Sequence, residues 1–84
     1  MNTSIDVPPE VSFSDAFFHV RWPNAVSLSF PVAGNERLEK ASLDQLLNVE
    51  VDEYGLHWPE IDEDLSFVGL LRGDWGQYVR VKSA

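Results

Sequence analysis

The chain has 84 residues, 44% of them hydrophobic, with three Trp, five Phe and no Cys. That is room for one domain and one core held by packing and hydrogen bonds, and it excludes disulfides and thiolate metal sites. Fourteen acidic against six basic residues give a formal charge of −8, which repels phosphate backbones and anionic lipid and favours a basic protein partner over nucleic acid or membrane.

No apolar run approaches the roughly 18 residues that span a bilayer. The opening Met1-Asn2-Thr3-Ser4-Ile5-Asp6 has neither the basic nor the apolar part of a signal peptide, so a cytoplasmic location is expected.

Residues 1–12 contain the adjacent Pro8 and Pro9 and read as a loose, extended arm. From Phe17 to Trp22 the chain alternates, with Phe18, Val20 and Trp22 on one face and Phe17, His19 and Arg21 on the other. Pro23-Asn24-Ala25 predicts a reversal. Val26, Leu28, Phe30 and Val32 then alternate with Ser27, Ser29 and Pro31, completing a hairpin whose Pro31 places it at a sheet edge or bulge.

Gly34-Asn35 breaks the strand, and residues 36–40 form a charged connection of ambiguous structure in which Leu38 is the core contact. Ser42 with Gln45 three residues on has the form of a capping box, opening a helix of about two turns with Leu43, Leu46 and Leu47 on one face. Asn48 ends it. Val49 and Val51 alternate with Glu50 and Asp52, Tyr54-Gly55 turns the chain, and Leu56 and Trp58 face the core while His57 faces out, giving a second hairpin closed by Pro59.

Ser66 is a cap for a short helix over Phe67, Val68, Leu70 and Leu71, with Gly73 at the left-handed C-terminal position. Residues 74–84 read either as a tail or as an extra strand. As a strand, Tyr78, Val79 and Val81 would add to the edge left by the second hairpin, within the chain or across a homodimer, bringing Arg80 or Lys82 near the carboxylates. The whole is a single α+β domain over residues 1–84, an antiparallel sheet of about four strands with two short helices.

The segment Arg37-Leu38-Glu39-Lys40-Ala41, the stretch from Gly55 through His57, Trp58, Pro59, Asp62, Glu63 and Asp64 to Ser66, and Gly69-Leu70-Leu71-Arg72-Gly73 together resemble the small bacterial family called domain of unknown function 2442. The motifs are "RLxxA", "G(I/L)HWPxxDEDxS" and "GLLxG", and the match spans roughly residues 17–73. The resemblance implies a hairpin, a short helix and a final helix over the "GLLxG" segment, with no established enzymatic activity. It also implies a gene neighbour encoding a small basic protein, an arrangement that looks like a toxin and antitoxin pair.

The fifteen residues from Glu50 to Asp64 hold seven carboxylates, and no Lys or Arg occurs from Ala41 to Leu71. Such a run is either a solvated face or a dock for a basic partner. Under the second reading the docking residues are Glu50, Asp52, Glu53, His57, Glu60, Asp62, Glu63 and Asp64. Trp75, beyond the last predicted helix, is either folded back on the core or a further anchor of that interface.

A calcium loop fails, since an EF-hand starting at Asp62 needs Gly where Phe67 stands and Glu where Gly73 stands. Asp62 or Asp64 would instead set up the final helix through turn and cap bonds. No cofactor or metal site is indicated. The rival function is an enzyme or ligand-binding protein built on His57, Glu60 and Asp62, although no nucleophile accompanies them. A deep pocket joining these three would favour it, and a shallow acidic surface would favour the non-enzymatic interaction domain.

Overall fold

A computed structural model of the chain describes residues 7–76. The described residues form two three-stranded antiparallel sheets and three short helices, so the α+β class holds while the strands divide into two sheets. The first sheet has β1 (Glu10–Ser14), β2 (Phe17–Arg21) and β3 (Ser27–Pro31) in chain order. Then come α1 (Glu36–Lys40) and α2 (Leu43–Leu47), followed by the second sheet of β4 (Glu50–Val51), β5 (Gly55–Trp58) and β6 (Glu63–Ser66), and finally α3 (Phe67–Leu71).

Of the loose arm expected over residues 1–12, the part from Glu10 onward is instead strand β1. Pro9 is buried, and Glu10 to Ser14 pair with Arg21 to Phe17. The two-residue turn between these strands is Asp15-Ala16, both with positive φ (53° and 66°), the backbone that a tight hairpin requires and that Asn-Gly usually supplies. Without that signature the hairpin is hard to read in the sequence. The predicted reversal at Pro23-Asn24-Ala25 is present. Trp22 and Val26 close it (N to O, 2.8 Å), Ala25 takes the left-handed position at φ 75°, and Asn24 Oδ1 accepts from the Val26 amide. Pro31 lies on β3, an edge strand of its sheet, where a missing N–H is tolerated.

Helix α1 occupies the connection whose structure was ambiguous, with Asn35 as N-cap accepting from the Leu38 amide. The capping box of α2 forms as read, but the helix has only five residues, so it buries Leu46 and leaves Leu43 and Leu47 at 59% and 56% exposure. Strand β6 runs through the stretch read as turn and cap. It is short and half acidic, yet Leu65 and Glu63 point inward while Asp64 and Ser66 point out. Gly55 permits the close approach of β5 and β6, for a Cβ there would lie 2.2 Å from the Leu65 carbonyl oxygen.

Helix α3 starts at Ser66, whose hydroxyl accepts from the Gly69 amide. It ends with Gly73 at φ 84°, where Gly73 N donates to Leu70 O and Asp74 N to Gly69 O, the paired bonds of a Schellman motif.

The core lies between the two sheets. Phe18, Val20 and Phe30 come from the first, Leu56, Trp58 and Leu65 from the second, and Leu38, Leu46, Phe67 and Leu70 from the helices. Trp58 is fully buried, meets Phe18 edge-on at 5.2 Å between ring centroids, and donates its indole N–H to Leu46 O at 3.0 Å. That bond keeps its one polar atom satisfied inside the core. Among the described residues no helix is long and apolar enough to cross a membrane.

Candidate functional site

The pairing register of the second sheet sets the site. Glu50 lies opposite His57, and His57 lies opposite Asp64, so these three side chains form one row across the outward face. His57 Nδ1 and Asp64 Oδ1 are in direct contact. Hydrogen bonding to Asp64 raises the His57 pKa above its ordinary value. Partial desolvation opposes the rise, and the negative charges of Asp64 and Glu50 add to it. A shallow, open depression of about 190 Å³ adjoins the row, lined by residues that include Asp52, Tyr54, His57, Asp64 and Ser66.

The remaining predicted docking residues are dispersed. Asp52 is exposed, but its Oδ1 accepts from the amides of Tyr54 and Gly55 and so shapes the β4–β5 turn. Glu53 is exposed at the same turn and borders an apolar groove between β3 and α3, lined by Trp22, Val26, Leu28, Phe67 and Leu71. Glu60 accepts from Asn48 Nδ2 at 2.7 Å, and Asp62 holds a left-handed turn position at φ 55°. His57 thus pairs with Asp64 rather than with Glu60 or Asp62. No group of three or more His, Cys, Asp or Glu among the described residues is arranged to hold a metal ion.

Glu63 is not on the exposed face, and Trp75 takes the first of its two readings. Glu63 is only 6% exposed, because it shares the inward face of its sheet with Trp58, its partner across β5 and β6. Its Oε2 accepts from Asn35 Nδ2 at 2.8 Å, and its Oε1 lies 3.9 Å from Arg37 Nη1. Trp75 folds back on the core. Its indole N–H donates to Ala33 O at 2.9 Å and its own carbonyl accepts from Asn35 Nδ2 at 2.5 Å. The expected strand or tail beyond it, with Tyr78, Val79, Arg80, Val81 and Lys82, lies outside the described residues apart from Asp74, Trp75 and Gly76.

Asn35 was missed as anything more than a strand break. It is fully buried and ties three segments together, capping α1, holding Glu63 on β6 and fixing the chain at Trp75. Arg37 reaches the same place from the outside, donating to the Asp62 carbonyl. Period-two alternation from Glu63 through Leu65 to Phe67 was the available sign that Glu63 turns inward.

A family model described as "Protein of unknown function (DUF2442)" matches residues 9–75. The chain belongs to the DUF2442 family. A crystal structure of a protein of unknown function from Rhodospirillum rubrum is similar to it, with 36% identity and a TM-score of 0.71 over 84% of this chain and 93% of that one. No curated protein matches. Within this DUF2442 domain the residues that carry the resemblance serve mainly to join its parts: Arg37 holds the β5–β6 turn, Leu38 and Trp58 fill the core, Gly55 lets two strands meet and Ser66 caps α3.

Proposed function

We propose that this DUF2442 domain is a non-enzymatic protein-interaction module, antitoxin-like or regulatory, that presents the outward face of β4, β5 and β6 to a small basic protein. The observation that carries the reading is the row of Glu50, His57 and Asp64 on one exposed face, with Asp52, Glu53 and Glu60 near it in sequence, in a stretch without Lys or Arg from Ala41 to Leu71. A face of one sign steers an oppositely charged partner and sets orientation, and its pull weakens with salt over a screening length of about 8 Å at physiological ionic strength. The basic neighbour implied by the family resemblance has the matching sign.

The test is titration with a Lys/Arg-rich peptide, followed by amide chemical shifts. Shifts should concentrate at Glu50, His57 and Asp64 and spare the outward face of the first sheet. Glu50→Lys with Asp64→Lys should weaken binding and flatten its salt dependence while leaving the fold intact, since both side chains are exposed. Shifts spread over every acidic residue, with affinity unchanged in the double variant, would return this face to a role in solubility.

A further inference from the structure

His57 sits between two carboxylates, one on each neighbouring strand, at the centre of the face assigned above to partner docking. From β4 it is faced by Glu50 and from β6 by Asp64, while Asp52 at the β4–β5 turn borders the same depression. Among the described residues, no Lys or Arg lines that depression or stands in the row. Among the described residues the imidazole is therefore the group there that can supply positive charge. Its side chain is 40% exposed, open to protons from solvent, and its Nδ1 already occupies one oxygen of Asp64, which is itself 74% exposed.

We propose that His57 is an internal counter-ion that gates the acidic face: protonated, it holds Asp64 and competes with the cations of a basic protein, and neutral, it releases that carboxylate to them. This rests on the docking reading above and adds its regulation. The formal charge of the row is −1 with His57 protonated and −2 with it neutral, so the attraction for a cation doubles at the middle of the face when one proton leaves. A neutral imidazole can still donate a hydrogen bond to Asp64, but it no longer cancels the charge. The carboxylates around His57 hold it protonated to a higher pH than an isolated imidazole. The gate therefore opens as pH rises through the folded His57 pKa.

The same peptide titration, run from about pH 5.5 to 8.5 with a peptide containing Lys and Arg but no His, reads the gate, since the charge on such side chains is constant over this range. At low salt, affinity should rise on the order of fivefold across the His57 midpoint measured by NMR on the same sample, the scale expected for one exposed unit charge at contact distance. His57→Gln should bind at the high-pH level throughout and His57→Lys at the low-pH level throughout, each with the amide spectrum of a folded domain. Wild-type binding that is saturable but flat with pH, or a pH dependence that survives in His57→Gln, overturns the gate and leaves the docking face standing. Absence of saturable binding at every pH overturns both.

Discussion

The two sheets place a histidine at the same kind of position and surround it with different chemistry. His19 is central on β2 and His57 central on β5, each facing outward between two neighbouring strands. Serines flank His19: Nε2 is 3.1 Å from Ser14 Oγ and Nδ1 is 2.8 Å from Ser29 Oγ. A hydroxyl can donate or accept, so these two partners serve either tautomer and bring no charge of their own. Around His57 the neighbours are Glu50 and Asp64, which accept only and favour the cation. Geometry alone therefore does not make a histidine responsive. The residues one strand away decide whether the ring is a structural hydrogen-bonding group or a charge that can be switched.

Behind these unlike outer faces lies one shared core, and the largest expected effect tests whether the sheets are a single unit. Trp58→Ala and Phe18→Ala, one from each sheet and in contact with each other, should each cost about 3–5 kcal/mol. In urea both variants should keep one cooperative transition at a lower midpoint. Two separated transitions, or a wild-type midpoint in either variant, would break the picture of a common core.

Next in size is the buried link from the second sheet to α1. Glu63→Ala removes an acceptor from the fully buried Asn35 amide and should cost about 1–3 kcal/mol. Glu63→Gln, which keeps an oxygen in place, should cost less. Equal stability of Glu63→Ala and wild type would mean that the link contributes nothing beyond the Asn35 cap of α1 and the hydrogen bonds of Trp75.

The smallest effect sharpens the contrast between the histidines. His57 has its folded pKa raised above the ordinary 6.5. The stability contributed by its contact with Asp64 is therefore fully present below the unfolded value and is lost as pH rises through the folded one. An NMR titration should find its midpoint above 6.5, and Asp64→Asn should bring that midpoint down. A midpoint unmoved by Asp64→Asn would remove the contact as the cause. The pH profile of stability should change in Asp64→Asn.

Much of this protein was determined by the sequence acting locally. Ser42 with Gln45, Ser66, Gly73 and the alternation of Leu56, His57 and Trp58 specify caps, a helix stop and a strand within a few residues of themselves, and each takes the expected form. The acidic character of the stretch from Glu50 to Asp64 is likewise a matter of composition. What the tertiary structure alone decided is which partners those acids meet. Asp64 stands beside His57, and Glu63 turns inward to Asn35, because β6 pairs with β5 in one register. A shift of one residue would exchange the two roles, since side chains alternate across a strand. Strand β1 and the return of Trp75 to Ala33 are non-local in the same way: partners 42 residues apart in the second case carry no mark of each other in the sequence, and only the closed core brings them together.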